Sequence, residues 1–402
     1  MSNVIILGDV HLGKGTSIGK SGIGTALNSR IIDQINLLDW TLDQAIDHDS
    51  TNIIVTGDIF EDPKPHPTLV CNLIEWVQKC AANEVHVHVI MGNHDILRTG
   101  TFVVSPLDIL NSCELDNFHL YKDVNTLTIG SVAFTLMPFR DRKSFICDVN
   151  SDALGLLKDS LSYELASIPI TYTKVLIGHF AIEGSIPVGD EIDDITNELF
   201  CPIDMFRGYE YVWMGHIHKP QVMNKLNPYI AHIGSMDISN FGESDQKKSI
   251  VVFDTDDLSW KDINLPIRPL TKISIIVPKD TKDSTQFVLD EIEKIKTTMD
   301  RSIVRLEISL SSPGLASVDR KKIEKTIYDK GAFNISGFSE SKKMALVKKD
   351  GTQVIDTTID VNSAVKMWAD SKYIEKADET RKKRFTEISA QLILQLKNES
   401  KE

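Results

Sequence analysis

The chain has 402 residues, 42% of them hydrophobic and 25% charged, a balance that excludes a disordered or fibrous protein and allows one large core plus a smaller domain. No apolar run reaches the roughly 18 residues that a membrane span needs, and residues 1–3 lead straight into a strand without a basic, apolar leader, so a cytoplasmic chain without membrane contact is expected. The net charge of −13 argues against a broad basic coat for nucleic acid, and the five scattered cysteines (Cys71, Cys80, Cys113, Cys147, Cys201), none in a CxxC pair, read as reduced, mostly buried thiols.

Residues 1–268 alternate between strand and helix patterns. The first strand, Val4-Ile5-Ile6-Leu7, runs into Gly8-Asp9-Val10-His11. The stretch that follows, to Asn28, is rich in Gly, Ser, Thr and Lys. It resembles a phosphate-cradling loop only superficially, because Gly15 to Ser21 lacks the loop's first position, and it is read as a mobile loop beside a site. Ile31, Ile35, Leu38, Leu42, Ala45 and Ile46 predict a helix over 30–48. A second strand, Ile53 to Thr56, ends in Gly57-Asp58, and Pro63 and Pro65 stiffen the loop behind it. A helix over 68–82 leads to a third strand, Val85 to Met91, which ends in Gly92-Asn93-His94-Asp95.

Ser105 and Pro106 read as N-cap and first residue of a short helix. Short strands at 118–121, 127–129 and 132–136, with a turn at Gly130, suggest a change to antiparallel pairing. After a helix over 152–167, Lys174 to Ile177 ends in Gly178-His179. Behind it Glu183, Asp190, Glu191, Asp193, Asp194 and Glu198 read as a solvated acidic face. Tyr211 to Met214 ends in Gly215-His216-Ile217-His218, and strands at 229–235 and 249–254 close the domain. Pro266 and Pro269 mark the boundary. A small module over 269–345 reads as strand 271–277, helix 284–299, strand 302–310, helix 317–330 and strand 332–340. A polar linker over 346–360 follows. The tail, 361–402, is helical with an apolar stripe of Ala364, Met367, Trp368, Phe385, Ile388, Leu392 and Leu396.

Five strands thus end in a glycine followed by Asp, His or Asn. Any one of these endings alone is more often a turn or a satisfied core histidine. His86 and His88 within their strand, and His48, His66, His119 and His232, are read as structural. The series of five is another matter, because open α/β sheets carry their chemistry at the C-terminal ends of strands. Asp9, His11, Asp58, Asn93, His179, His216 and His218 offer carboxylate, amide and imidazole donors without a thiolate, which suits hard divalent ions. Seven ligands exceed the needs of one ion, so two ions sharing Asp58 are expected. Two ions about 3.5–4 Å apart activate water and clamp phosphoryl oxygens for in-line attack. His94 then remains as the catalytic group that acts on the leaving oxygen, with Asp95 orienting it.

In this order, Asp-x-His, Gly-Asp-x-Phe, Gly-Asn-His-Asp, Gly-His and Gly-His-x-His resemble the calcineurin-like metallophosphoesterases. More narrowly, Asp9-Val10-His11-Leu12-Gly13, Gly57-Asp58-Ile59-Phe60 and Gly234-Ser235 resemble the SbcD-type DNA repair nucleases, the family of the meiotic-recombination-eleven protein. The phosphoprotein phosphatases carry Asp-Arg-Gly shortly after the second Asp, where this chain has Glu61-Asp62-Pro63. The likeness covers residues 3–255. It implies an α/β fold: a four-layer β-sandwich flanked by helices, with a small α+β capping domain and C-terminal helices. It also implies two manganese ions (magnesium being possible), one held by Asp9, His11, Asp58 and His218, the other by Asp58, Asn93, His179 and His216. The implied activity is exonucleolytic and endonucleolytic cleavage of DNA. The implied partners are a second copy of the chain, with helix 68–82 a candidate dimer surface, and an SbcC-type SMC-like ATPase gripped by 361–402. Lys14, Lys20, Arg98 and Arg140 are candidate DNA contacts by position alone. The rival expectations are a phosphodiesterase or phosphatase for small substrates, and a catalytically silent scaffold.

Overall fold

Two six-stranded mixed sheets pack face to face in the structure, a computed structural model that describes residues 3–22, 27–99, 102–140, 152–188, 199–295, 299–312, 314–342, 346–347 and 353–354. Their strands are, in chain order, β1 (Asn3–Leu7), β2 (Ser50–Val55), β3 (His86–Ile90), β4 (Phe118–Tyr121), β5 (Asn125–Ile129), β6 (Val132–Met137), β7 (Thr173–Gly178), β8 (Tyr211–Met214), β9 (Gln221–Asn224), β10 (Tyr229–His232), β11 (Ser249–Asp254) and β12 (Trp260–Asn264). The first sheet runs β12-β11-β1-β2-β3-β4 and the second β9-β10-β8-β7-β6-β5. Four neighbours in each are parallel: β1 to β4 in the first, and β10, β8, β7 and β6 in the second.

Parallel strands covered on both faces are continuously apolar. Val4, Ile6, Ile54 and Ile90 meet Phe134, Val175, Ile177 and Trp213 between the sheets. The outer face of the first sheet, with Ile5, Ile53, Val87 and Val89, packs against Leu37, Leu38 and Leu42 of α1 (Ser29–Asp47) and Leu73, Trp76 and Val77 of α2 (Pro67–Ala82). Trp76 Nε1 donates to Leu38 O at 2.8 Å and ties the two helices together. On the outer face of the second sheet, Leu176, Val212 and Met214 pack against Leu157 and Leu161 of a helix over Ala153–Ser167. The result is four layers, helix–sheet–sheet–helix.

Two local expectations change. The strand at 118–121 does not turn antiparallel: β4 pairs in parallel with β3, Val87 opposite Phe118. A short helix, α3 (Asp108–Ser112), lies in the connection and brings the chain back to the same end of the sheet, as a parallel pair requires. Of the strands at 118–137, β5 and β6 form the hairpin, around Gly130 at φ 58°. Nor do Ser105 and Pro106 begin that helix. Ser105 Oγ accepts from Leu107 N at 3.2 Å and Asp108 Oδ2 accepts from Ser105 N at 3.1 Å, so they form the turn before it.

The chain divides into two compact units. The first comprises Met1–Ile275, Thr285–Ile308 and Ser317–Glu340, the second Ile276–Ser284, Ser309–Ala316 and Ser341–Glu402. In the first, Leu270 and Ile303 pack with Ile18, Ile238 and Phe241. The loop after β1 is held from several sides over the residues described. Gln34 bonds Gly13 N at 2.9 Å and Lys14 O at 3.1 Å, Lys20 Nζ donates to Phe333 O at 2.5 Å, and Asn334 Nδ2 donates to Ile18 O at 2.9 Å. In the second unit, Ser311 N donates to Val277 O at 3.0 Å, and Leu346–Val347 pairs with Gln353–Val354. Among the described residues no helix is long and apolar enough to cross a membrane. Of the cysteines described, Cys80 and Cys201 are buried and Cys71 and Cys113 exposed. The tail over 361–402, most of the linker before it, Cys147 and most of the acidic loop lie outside the described residues.

Candidate metal centre

The C-terminal ends of β1, β2 and β3 in one sheet and of β7 and β8 in the other carry all seven predicted ligands to one edge of the sandwich. Main-chain bonds join the loops there. Val10 N and His11 N donate to Asp58 O at 3.1 and 2.8 Å, Leu12 N to Ile59 O at 2.8 Å, and Glu61 N to Leu12 O at 3.2 Å. Met236 N donates to Asp9 O at 2.7 Å and Gly215 N to Gly178 O at 2.9 Å. The motif glycines are present mainly for room. Of the five, only Gly57 needs a positive φ; a Cβ on Gly92 would lie 2.1 Å from Asp58 Oδ1, and one on Gly215 2.2 Å from Asp9 Oδ1. The strained backbone is at the ligands themselves: His11, Asp58 and His216 hold φ of 49°, 47° and 77°. Left-handed non-glycine residues cost on the order of 1–3 kcal/mol each and gather at functional sites.

The donor atoms form two groups. Asp9, His11 and His218 place one ligand atom each within 4.8 Å of one another, and so do Asp58, His179 and His216. Asn93 Oδ1 joins the second group, 2.9 Å from His179 Nε2 and 3.1 Å from His216 Nδ1. In the first group His11 Nε2 faces His218 Nε2 at 2.9 Å. Asp58 Oδ2 lies between the groups, 3.5 Å from His11 Nε2 and 3.3 Å from His179 Nε2, while its Oδ1 accepts from His94 N at 2.9 Å. The outer nitrogen of His179, Nδ1, is 2.8 Å from Thr56 O, which leaves Nε2 to face inward.

Asp9 and Asp58 are 0% and 2% exposed, and among the described residues no Lys or Arg pairs with either. Burial raises the Asp9 carboxyl above its ordinary range, with the Asp58 charge adding to the effect and His179 opposing it. Burial also opposes charge on Asp58, yet His179, His94 and His11 outweigh it and hold that carboxyl well below its ordinary range. Burial likewise opposes charge on His179, but Asp58 and Asp9 prevail and lift it to about 10. Two buried acids need positive charge nearby. In the protein alone His179 carries it, and a cation is the other means of supplying it.

His94 stands at the edge of the centre: it forms a third cluster with His11 and Glu61, their ligand atoms within 4.8 Å of one another, and its Nδ1 lies 2.7 Å from Glu61 O. Asp95 does not orient it. Fully buried, its Oδ2 accepts from Gly92 N at 3.0 Å and its Oδ1 from Ile59 N and Phe60 N at 3.0 and 3.5 Å. The side chain points back into the loops it staples, so its role is positional.

Residues 2–220, more than half of the chain and a span containing all seven donors, match the calcineurin-like phosphoesterase family. The chain belongs to that family. Curated relatives of this phosphoesterase include the SbcD component of the SbcCD nuclease of Staphylococcus epidermidis, 25% identical over 236 residues that cover 56% of this chain and 61% of the relative. The DNA double-strand break repair protein Mre11 of Aeropyrum pernix is 23% identical over 290 residues, 68% of this chain and 64% of the relative. The SbcD component of the Escherichia coli K12 SbcCD nuclease is 24% identical over 273 residues, 60% and 64%. The alignments thus span less than two thirds of each of these relatives. Among solved structures, a dimetal phosphatase from Danio rerio aligns with a TM-score of 0.39 at 11% identity, covering 66% of this chain and 99% of that one.

The family's centre is dinuclear, and the donors fit it: two groups of hard ligands, one carboxylate oxygen between them and no thiolate. Sequence reasoning missed several supports of this phosphoesterase's site. Thr56 Oγ1 donates to Asp9 Oδ1 at 3.0 Å. Lys248, fully buried with Glu243, donates to His218 O at 2.7 Å. The Phe139 ring stacks on that of His216, centroids 6.1 Å apart. Three of the four basic residues singled out by position are engaged locally: Lys14 with Glu61, Lys20 with Phe333, and Arg140 with Asp123 and Lys122 O. The Arg98 side chain lies outside the described residues.

Proposed function

We propose that this phosphoesterase is a two-metal DNA nuclease that hydrolyses phosphodiester bonds at duplex ends and internally, as the nuclease subunit of an assembly with an SMC-like ATPase. The observation that carries the reading is the pair of donor groups sharing Asp58 Oδ2, in a chain whose curated relatives are named nucleases and break-repair proteins. Asp9, His11, Asp58 and His218 hold one divalent ion, manganese or magnesium, and Asp58, Asn93, His179 and His216 the other. Such a pair, when bound, supplies Lewis-acid polarisation of phosphoryl oxygens and activation of water.

The chain's own part begins with position. Thr56 holds both Asp9 and the outer nitrogen of His179. Asp95 fixes the loop between Gly92 and His94 against that of Asp58. Burial opposes charge on His94, but Asp58 and the Glu61 carbonyl outweigh it and raise its pKa; with Nδ1–H donated to that carbonyl, the imidazolium has an Nε2–H left to give the leaving oxygen a proton or a hydrogen bond. Partner binding by 361–402 belongs to the same reading, supported by the relatives' names as subunits of a complex and by the apolar stripe of the tail; a homodimer is carried over with it from the family resemblance alone.

The test is cleavage of an end-labelled DNA duplex by the purified chain with manganese, magnesium or chelator, beside the His94→Ala variant. The expected result is manganese-dependent shortening, at least about 100-fold slower in the variant, with both ions still bound by it. Turnover of a small phosphodiester without any cleavage of DNA would keep the centre and move the substrate. Loss of both ions from the variant would show His94 to be a ligand instead.

A further inference from the structure

We propose that Glu61 is the positioning residue for His11: it fixes which ring nitrogen faces the metal centre and thereby sets the affinity of one ion of the pair. The inference rests on the metal-centre reading above. His11 Nε2 belongs to the donor side, 2.9 Å from His218 Nε2 and 3.5 Å from Asp58 Oδ2. Its other nitrogen, Nδ1, lies 2.8 Å from Glu61 Oε2. A neutral imidazole carries one ring proton, and an ionised carboxylate only accepts. Neither atom completes an aligned hydrogen bond, but a carboxylate 2.8 Å away repels a lone pair on Nδ1, so its charge favours the proton there and leaves the lone pair of Nε2 toward the ions. A carboxylate behind a ligating histidine fixes its tautomer, holds the ring plane and raises its basicity as a ligand.

Glu61 is itself held for this task. Lys14 Nζ is 3.1 Å from the same Oε2, Lys14 N donates to His11 O at 3.0 Å, and Glu61 N donates to Leu12 O at 3.2 Å. Carboxylate, lysine and histidine are thus clamped by the strand-end loops that carry Asp9 and Asp58. His11 needs such a hold, because its backbone is in the left-handed region, where an L-residue gains no help from local conformation. His179 is secured differently, through the main-chain carbonyl of Thr56, which no substitution removes. Glu61 also differs from the ligands in exposure: its side chain is 35% exposed against 3% for His11, so replacing it leaves the core intact. Its main-chain oxygen is the one that meets His94 Nδ1, and a side-chain substitution keeps that bond.

Manganese alone is the probe, followed by titration calorimetry and by paramagnetic resonance, which separates a coupled ion pair from a single bound ion. In Glu61→Ala one of two binding steps should weaken by about 10- to 100-fold, the other staying within two-fold of the unchanged protein. At two equivalents of manganese the coupled-pair spectrum gives way to that of one ion. Glu61→Gln, which keeps an oxygen beside Nδ1 but not the charge, should lie between Glu61→Ala and the unchanged protein. Cleavage by Glu61→Ala should recover with excess manganese, a shift in metal requirement rather than in kcat. Two unaltered binding steps in Glu61→Ala overturn the proposal, and so does equal weakening of both with unchanged melting in chelator. If the unchanged chain binds no ion pair, the metal-centre reading has failed, a result distinct from a Glu61 variant that behaves as its parent.

Discussion

Asp58 Oδ2 lies within 3.5 Å of a histidine nitrogen from each donor group. One oxygen facing both groups means that a single substitution acts on both ions. Asp58→Asn keeps an acceptor for His94 N but halves the formal negative charge of the two buried acids at the centre. Calorimetry with manganese should show both binding steps weakened together, each by at least about ten-fold, the scale of a lost charge–ion contact. One step left untouched would remove Asp58 from the bridging position. At this scale the proposed ligands stand out in the sequence because five of them directly follow a strand-end glycine and His11 and His218 come two residues later, so that short-range pattern alone carried the signal. Thr56, Glu61 and Lys248 were not. The contact from Lys248 to His218 O spans 30 residues and becomes visible only when the sheets close, and in the sequence Lys248 reads as surface charge. Asp95 shows the opposite error: adjacency suggested a partnership with His94, but its oxygens are taken by three main-chain amides.

The seam between β3 and β4 shows how an element can conceal its chemistry. His88, 4% exposed, sits opposite His119 in the parallel register, between Tyr121 Oη at 3.0 Å from Nδ1 and Asn52 Oδ1 at 3.0 Å from Nε2. Period-two alternation puts His86 and His88 on one face of the strand and says nothing of three stacked imidazoles, His86, His88 and His119. Burial, and after it the neighbouring His119 and His86, press the His88 pKa from 6.5 down to about 3. Below pH 6.5 the unfolded chain takes up a proton at this residue that the folded chain refuses until about 3. The contribution to stability is therefore complete above 6.5 and is lost as pH falls toward 3, at about 1.4 kcal/mol per pH unit. Chemical denaturation in chelator at pH 7.5 and 5.5 should show a smaller loss for His88→Gln than for the unchanged protein, by about 1 kcal/mol. Equal losses in the two proteins would mean that His88 does not titrate on unfolding.

For the whole molecule, the alternation of strand and helix to residue 268 announced a layered α/β fold, and the paired sheets deliver it. The order β12-β11-β1-β2-β3-β4 was beyond the sequence, because which strands become neighbours depends on long-range packing that local periodicity does not encode. The tail belongs to this scale, since the role proposed for it lies in an assembly. Its apolar positions, Met367, Trp368, Phe385, Ile388, Leu392 and Leu396, recur at helical spacing with charged residues between them, a composition that buries its stripe against something. All seven proposed ligands and His94 precede residue 219, so the proposed donor groups lie wholly outside the tail. Deleting 361–402 should therefore leave manganese-dependent cleavage by the isolated chain within about two-fold, while capture of the SMC-like ATPase from a co-expression mixture falls to background. An apolar stripe docked in a coiled-coil groove supplies most of such an interface, because buried apolar anchors rather than rim charges carry the energy. Undiminished capture after the deletion would place the partner's site elsewhere on the chain. Loss of cleavage together with capture would mean that the tail supports the nuclease fold itself.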